Sequence, residues 1–238
     1  MRWLILSDIH GDFDALAKVL EHAGSVDAII IAGDLTDFGG HVEATKIIDA
    51  LAEKEAPVLA VSGNCDRDGV RAALESAGLS IEGRTRKVRD HIFAGAGGGI
   101  HHHGMTPFEP TEDELEASLS AALNSGDEFS ERRIEGENLV IVTHTPPNGT
   151  PLDKRGSTHT GSHAFRAILG ERTPALWVSG HIHEARSLWT IGPTVLVNPG
   201  PVREGCFALA IVDGKGSPRL SLEMIDLRHR PLGRGDRA

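Results

Sequence analysis

The sequence has little cysteine, no long apolar run and no excess of positive charge, and each absence excludes a class of protein. Only Cys65 and Cys206 occur, too few for a disulfide framework or a four-cysteine zinc site. With no secretory signal and no bilayer-spanning run, we expect a cytoplasmic protein without membrane contact. The formal net charge of -10 makes a nucleic-acid partner unfavoured. Bound divalent cations would, however, reverse the local field where a phosphate sits.

What is present fits a globular protein with a sizeable core. Hydrophobic residues make up 39% of the 238 positions and charged residues 24%. Apolar runs at 2–6, 28–32 and 58–61 predict strands, and amphipathic patterns near 12–23 and 42–53 predict helices between them. This β-α-β-α-β order predicts parallel strands joined by right-handed crossovers.

The second half predicts a further sheet. Strands are expected at 139–142 and 176–178, with a helix near 163–170 between them. Segments near 186–191, 193–197, 206–212 and 219–226 predict hairpin strands of a mainly antiparallel second sheet, with Cys206 in its core. A helix near 112–123 lies in a segment, 95–137, that we interpret as an insertion or flap. We expect one domain over 1–227 and a disordered tail over 228–238, which carries Arg228, Arg230, Arg234 and Arg237.

Two distant fragments alternate metal-ligand side chains with an apolar residue, namely Asp8-Ile9-His10 and Gly180-His181-Ile182-His183. Successive residues of an extended segment point to opposite faces, so each fragment would present its two ligands on one side. Carboxylate and imidazole groups bind hard to borderline divalent metals. Together the fragments therefore predict a metal site.

Other polar motifs follow predicted strands in the same way. They are Gly33-Asp34, Gly63-Asn64-Cys65-Asp66 and Thr143-His144. Ligands gather beyond the carboxyl ends of parallel strands, so the motifs after the first three strands should meet at one edge of a sheet. Taken singly, an Asp or Asn after a strand is often only a turn former or helix cap, and a strand-end His a satisfied polar group.

The ordered set D-x-H, G-D, G-N-C-D, lone H and G-H-x-H resembles the calcineurin-like metallophosphoesterase superfamily over roughly residues 1–212. The loops Thr145-Pro146-Pro147 and Asn198-Pro199-Gly200-Pro201 are similar to those of small prokaryotic members, which look like phosphodiesterases. The resemblance implies an α/β fold, a four-layer α/β/β/α sandwich in which two mixed β-sheets pack face to face between flanking helices.

The resemblance also implies two divalent metal ions, with Mn favoured over Fe, Zn, Ni and Co. One metal would be held by Asp8, His10 and His183, the other by Asn64, His144 and His181, with Asp34 bridging both. Two cations about 3.5–4 Å apart lower the pKa of a shared water and stabilise an in-line displacement at phosphorus. The expected reaction is attack of a metal-bridging hydroxide on a small phosphate ester, in which Asp34, Asn64 and His144 are catalytic.

Cys65 stands where many monoesterases and protein phosphatases of this family have a His, which is thought to protonate the leaving group. A thiol with an ordinary pKa of about 8.5 is a poorer acid at neutral pH, so the departure favours a phosphodiester. Cys65 either takes that catalytic role or packs beneath the site. The rival interpretations are a phosphomonoesterase or protein phosphatase, a nuclease, and a non-catalytic, metal-free binding scaffold of the same fold.

Candidate substrate contacts beyond Asn64 are Arg67, next to the third motif, and His159, before a predicted helix start. A helix-start arginine and a plain Ser162 cap are the alternatives. His101, His102 and His103 follow a glycine-rich loop and either reach a phosphate, capture a third metal or are simply solvated. The oligomeric state is left open.

Overall fold

The computed structural model describes residues 1–101, 104–124, 138–213 and 219–228. Its helices are α1 (Phe13–Ala23), α2 (His41–Ala52), α3 (Asp68–Ser76), α4 (Glu112–Asn124) and α5 (His163–Arg172). Its strands are β1 (Arg2–Leu6), β2 (Ala28–Ala32), β3 (Val58–Val61), β4 (Thr85–Val88), β5 (His91–Ala96), β6 (Leu139–Thr143), β7 (Lys154–Arg155), β8 (Thr158–His159), β9 (Leu176–Val178), β10 (Ser187–Ile191), β11 (Thr194–Asn198), β12 (Cys206–Asp213) and β13 (Arg219–Asp226).

The first sheet has the strand order β13-β12-β1-β2-β3. β1, β2 and β3 run parallel, as the β-α-β-α-β pattern predicts, and β12 and β13 add an antiparallel edge. The expectation that the segments near 206–212 and 219–226 belong to the second sheet is therefore wrong. Alternation of apolar residues marks a half-buried strand, but it does not say which of two sheets the strand joins.

The second sheet has the order β10-β11-β9-β6-β5-β4. The pairs β11–β9, β9–β6 and β6–β5 are parallel, and only the two edge pairs are antiparallel. A mainly antiparallel second sheet is therefore also a wrong expectation. The extra parallel strand is β5, whose Gly95 weakened the strand pattern, and which our sequence reasoning missed.

Three layers of core hold the two sheets and the helices together. On β1, the side chains of Trp3 and Ile5 point between the two sheets, and those of Leu4 and Leu6 point to the helices of the first layer, because side chains alternate along a strand. α1, α2 and α3 cover the outer face of the first sheet, and α4 and α5 cover that of the second. This is the predicted four-layer α/β/β/α sandwich, which is confirmed.

Within the segment that we interpreted as a flap, α4 packs with Leu115 and Leu119 against the second sheet and is part of the sandwich. Residues 125–137 of that segment lie outside the described residues, as do 229–238 of the tail. Arg228, the first residue of the expected tail, donates to Glu204 and Asp226 at 2.6 and 2.7 Å. Cys206 is fully buried, on β12 of the first sheet. The domain limits stay a prediction.

No helix in the described part of the chain is long and apolar enough to cross a membrane. The cytoplasmic location stays a prediction.

Candidate metal centre

The polar motifs meet where the carboxyl ends of strands from both sheets come together. Asp8 and His10 follow β1, Asp34 follows β2, Asn64 follows β3, His144 follows β6, and His181 and His183 follow β9. Backbone hydrogen bonds tie neighbouring loops, as from Asp8 N to Gly33 O and from Gly180 N to His144 O, both at 3.0 Å. The convergence expected at one sheet edge thus extends across two sheets.

Four of the donor residues adopt a left-handed backbone conformation, which residues other than glycine rarely adopt. Their φ angles are +55° at Asp8, +49° at His10, +51° at Asp34 and +68° at His181. Each such residue costs of order 1 kcal/mol and persists where the surrounding structure enforces it, typically at functional sites. The sharp turns bring carboxylate and imidazole groups back over the strand ends.

Gly180 allows the two sheets' loops to touch. A Cβ on Gly180 would lie 1.7 Å from the hydroxyl oxygen of Ser7 and 2.6 Å from Asp8 Oδ2. Only glycine fits at this position. The close approach that it permits lets the backbone N–H of His181 donate to Asp8 Oδ2 at 3.2 Å. The Ser7 hydroxyl lies 2.5 Å from the same oxygen. These contacts occupy Oδ2 and leave Oδ1 of Asp8 facing the centre.

The first donor group is Asp8, His10 and His183. His183 Nε2 lies 3.1 Å from Asp8 Oδ1 and 3.4 Å from His10 Nε2. Burial alone would raise the pKa of Asp8, but the hydrogen bond with His183 and nearby imidazoles hold it below its usual value. Burial lowers the pKa of His10, and the hydrogen bond with Asp8 raises that of His183. An ionised carboxylate and neutral imidazoles are the forms in which these side chains bind metals.

Asp34 lies between the two donor groups. Its Oδ1 accepts a hydrogen bond from the backbone N–H of Cys65 at 2.8 Å. Its Oδ2 lies 3.7 Å from His10 Nε2 and 3.4 Å from His144 Nε2. Burial would raise the pKa of Asp34, but His144 outweighs burial and holds it well below its usual range. An ionised carboxylate in this position has an oxygen that faces both groups.

The second donor group is Asn64, His144 and His181. The Nδ1–H of His144 donates to the carbonyl of Ala32 at 2.7 Å, so Nε2 is the nitrogen that faces the site. It lies 2.9 Å from Asn64 Oδ1, and the His181 ring centroid lies 4.9 Å from that of His144. A nitrogen lone pair and an amide oxygen repel each other at that distance unless a proton or a cation lies between them. The arrangement therefore fits a cation.

The pKa values of these imidazoles move in opposite directions. Burial would lower the pKa of His144, but the Asp34 carboxylate raises it to about 9. Burial and the charge on His144 lower the pKa of His181 to about 4. His181 is thus neutral at neutral pH, and His144 binds a proton wherever it does not bind a metal.

The donor set as a whole fits divalent metal ions. Among His, Cys, Asp and Glu of the described residues, three clusters place their ligand atoms within 4.8 Å of one another. These clusters are Asp8-His10-His183, His10-Asp34-Cys65 and Asp8-Asp34-His144. Carboxylate and imidazole donors are those that Zn, Mn and Fe sites use. His181 belongs to none of these clusters, and the assignment of all seven residues as metal ligands stays a prediction.

Asp66 is a residue whose role the sequence reasoning missed, although it ends the third motif. It is fully buried and accepts hydrogen bonds from the backbone N–H groups of Leu35, Thr36 and Gly63 and from the Thr36 hydroxyl, at 2.8–3.1 Å. Burial and the charge of Asp34 raise its pKa to about 7. Asp66 thereby joins the loop that carries Asp34 to the loop that carries Asn64.

Neither predicted substrate contact is joined to the seven donors by a hydrogen bond or ion pair in the described residues. Arg67 is exposed at the start of α3. The Nδ1 of His159, on β8, lies 2.6 Å from Oδ1 of the buried Asp153. Ser162 caps α5 by accepting from Phe165 N, which is the plainer of the two roles weighed for that segment. Substrate contact by Arg67 and His159 stays a prediction.

The glycine-rich loop forms a wall of the site beside Asn64. Gly98 N donates to Ser62 O at 3.0 Å, Ile100 N donates to Thr145 Oγ1 at 3.0 Å, and Phe108 N donates to Asn64 O at 3.0 Å. His101 leaves this wall, its side chain 57% exposed and its Nδ1 3.6 Å from Glu109 Oε2. His102 and His103 lie outside the described residues.

Arg203 is the second residue whose role the sequence reasoning missed. Its Nη2 lies 3.5 Å from His183 Nδ1, at the outer side of the first donor group. No sequence motif includes Arg203. It comes after the Asn198-Pro199-Gly200-Pro201 loop in the chain and contacts His183 only in the folded protein.

The fold and the donor set define a metal-dependent phosphoesterase, an enzyme that hydrolyses phosphate esters. The model of the calcineurin-like phosphoesterase family matches residues 1–185, and the chain belongs to this family. It is 32% identical over 210 residues to an uncharacterized protein of Methanocaldococcus jannaschii, covering 84% of this chain and 88% of that protein.

Solved structures show the same fold. TT1561 of Thermus thermophilus superposes with a TM-score of 0.68 at 18% identity, covering 94% of this chain and 98% of that one. A dimetal phosphatase of Danio rerio superposes with a TM-score of 0.55 at 14% identity, covering 95% of this chain and 98% of that one.

Proposed function

We propose that the protein hydrolyses a phosphodiester at a two-metal centre. The observation that carries this proposal is the position of Asp34, whose Oδ2 lies 3.7 Å from His10 Nε2 in one donor group and 3.4 Å from His144 Nε2 in the other. A single carboxylate that faces an imidazole nitrogen of each donor group is suited to a pair of cations and unnecessary for one.

Each side chain has a role in this proposal. Asp8, His10 and His183 hold one cation, while Asn64, His144 and His181 hold the other and Asp34 bridges them. When bound, the pair supplies a hydroxide nucleophile at neutral pH and stabilises the charge that develops on the phosphoryl oxygens. Mn²⁺ is the proposed metal. The five imidazole and amide donors add no negative charge, so the site retains a positive potential for a phosphate.

Cys65 supports a diester rather than a monoester. Burial raises the pKa of its thiol, and the carboxylates of Asp34, Asp66 and Asp37 raise it further. The thiol therefore stays protonated and is neither a nucleophile nor an efficient acid for a poor leaving group. A diester with one good leaving group depends least on such an acid.

The experiment compares turnover of bis(4-nitrophenyl) phosphate and 4-nitrophenyl phosphate with Mn²⁺. We expect faster turnover of the diester, and a loss of at least about a hundredfold in Asp34→Asn, because a ligand shared by two metals is removed. Asp68→Asn, at an exposed carboxylate near the third motif, is the matched control and should retain wild-type turnover.

Faster turnover of the monoester would instead identify a phosphomonoesterase. If Asp34→Asn changes neither metal content nor turnover, Asp34 is not a metal ligand and the proposed centre is wrong. A wild type that binds no metal and hydrolyses neither ester would identify a binding scaffold of the same fold.

A further inference from the structure

Arg203 is held at the rim of the centre by its own backbone. Val202 N donates to Ser7 O at 2.9 Å, and Arg203 N lies 3.5 Å from Asp8 O. The short 3-10 turn Val202–Glu204 is thereby fixed to the segment that carries the first motif. The guanidinium then extends past His183, with Nη2 3.5 Å from His183 Nδ1. The distance of the Arg203 backbone from the first donor group is thus set by the fold and not by a free loop.

The guanidinium has no carboxylate partner within 4.0 Å in the described residues, unlike its neighbour Arg228, which lies 2.6 Å from Glu204 and 2.7 Å from Asp226. In the described part of the chain its hydrogen-bond contact is with Nδ1 of His183, which is weak at 3.5 Å. Once a metal takes Nε2 of His183, Nδ1 carries the ring proton and cannot accept a hydrogen bond. Arg203 then has donors directed at the rim of the site and no acceptor for them.

A cavity of about 480 Å³ opens beside this guanidinium. Its lining carries three carboxylates (Asp12, Asp14 and Glu204), three cations (Lys18, Arg203 and Arg228) and no aromatic side chain. Asp12 Oδ1 accepts from Ala15 N as the cap of α1, and Glu204 pairs with Arg228. The lining is therefore neutral as a whole. Among its cations, Arg203 is the one that contacts a residue of the proposed metal centre, His183.

We propose that Arg203 binds a second anionic group of the substrate. The substrate class is a phosphate ester with a further carboxylate or phosphate on one of its alcohol groups. A guanidinium presents paired N–H donors that match either anion, which distinguishes it from a lysine. A lining without aromatic side chains gives no surface on which a base could stack, so the group is small and hydrophilic. This inference rests on the proposed function and names the substrate class of the same site.

The experiment uses symmetrical esters, so that the group under test enters the cavity whichever side of phosphorus faces it. Bis(4-carboxyphenyl) phosphate carries the second anion, and bis(4-carbamoylphenyl) phosphate is its neutral counterpart. Both esters are assayed with Mn²⁺ for the wild type, Arg203→Ala and Arg203→Lys. The control is Arg166→Ala, because Arg166 is an exposed arginine on α5. Metal content is measured for each protein. Calorimetry gives the Kd of the non-hydrolysable 4-carboxyphenylphosphonate and 4-carbamoylphenylphosphonate.

We expect Arg203→Ala to lower kcat/KM for the carboxylate ester about tenfold or more, chiefly through KM, and to change that of the amide ester less than about threefold. The Kd of the carboxyl phosphonate should rise about tenfold, and Arg203→Lys should fall between wild type and Arg203→Ala. Metal content should not change.

Equal losses for the two esters, or a fall in metal content in Arg203→Ala, would overturn this inference and leave the proposed function standing. A wild type that turns over neither ester would overturn the proposed function and this inference with it.

Discussion

The Nε2 atoms of His10 and His183 lie 3.4 Å apart, although the two residues are 173 positions apart in the chain. Two neutral imidazole nitrogens that face each other at this distance need a proton or a metal ion between their lone pairs. Asp8 Oδ1 lies 3.1 Å from His183 Nε2 and completes a three-donor face. The contact exists because Gly180 lets the loop after β9 lie directly against Ser7.

Removing one of these donors should remove one metal. We expect the purified wild type, loaded with Mn²⁺ and dialysed, to retain about two ions per chain, and His183→Ala to retain about one. The variant loses one of the four side-chain donors of that site (Asp8, His10, His183 and the shared Asp34), which weakens metal binding. The control is His163→Ala, at an exposed position of α5. Inductively coupled plasma analysis measures the content. Wild-type metal content in His183→Ala would remove His183 from the ligand set.

Gly180→Ala should disrupt the centre without disrupting the fold. The added methyl would lie 1.7 Å from Ser7 Oγ, so one of the two loops must move. Such overpacking costs about 1–3 kcal/mol, and displacing ligands by about 1 Å costs roughly a hundredfold in turnover.

Gly170→Ala is the matched control, since Gly170 lies on α5 with no atom within 4 Å of an added Cβ. It should be more stable than wild type by about 0.5–1 kcal/mol, with unchanged turnover. Urea denaturation and the diester assay together distinguish the two variants. Unchanged turnover in Gly180→Ala would show that the close approach is not required.

Asp66→Asn should destabilise the protein more than its small chemical change implies. An asparagine keeps one acceptor oxygen, but its NH₂ would face backbone N–H groups that now donate to the second carboxylate oxygen. We expect a loss of about 2–4 kcal/mol in the free energy of unfolding, because buried donors lose their acceptor. Asp68→Asn, at a side chain that is 99% exposed, should change stability by less than about 0.5 kcal/mol. Equal midpoints in urea would contradict the structural role of Asp66.

His91→Phe should make the protein more stable, and increasingly so in acid. Both ring nitrogens of His91 are buried and have no hydrogen-bond partner among the described residues, and the ring packs edge-on against Trp3 at 4.9 Å between centroids. A phenyl ring keeps the contact and removes the unsatisfied polar atoms, which is worth about 1 kcal/mol at pH 8.

The sign of the pH effect follows from the pKa of His91. Burial lowers this pKa in the folded chain, with Asp90 acting in the opposite direction. Because the unfolded chain binds a proton near pH 6.5, about the ordinary value for histidine, wild type loses stability as pH falls through that value and the variant does not. The difference in unfolding free energy between the two proteins should therefore widen from pH 8 to pH 5.5. A constant difference would show that His91 ionises equally in both states.

The order of polar motifs after apolar runs was sufficient to select Asp8, Asp34 and the His181-Ile182-His183 fragment, and to reveal the family resemblance that implied the sandwich. Each of those residues follows a strand, and strand ends are recognisable because burial on both faces requires a continuous apolar run. The C-terminal hairpin β12–β13 was assigned to the wrong sheet. β12 is a nearly continuous apolar run and β13 alternates apolar and polar residues, and strands of either kind fit both sheets of a sandwich.

Local sequence alone thus determined which residue types stand at which strand ends, because the hydrophobic period and the turn residues are properties of neighbouring positions. Only the tertiary structure decided which of them meet. It placed His183 against Asp8, gave Asp66 its four donors, and set Arg203 beside the metal centre. These contacts join different sheets and loops, and their geometry depends on how the two sheets pack and on close approaches such as that of Gly180 to Ser7. No periodicity along the chain encodes those distances.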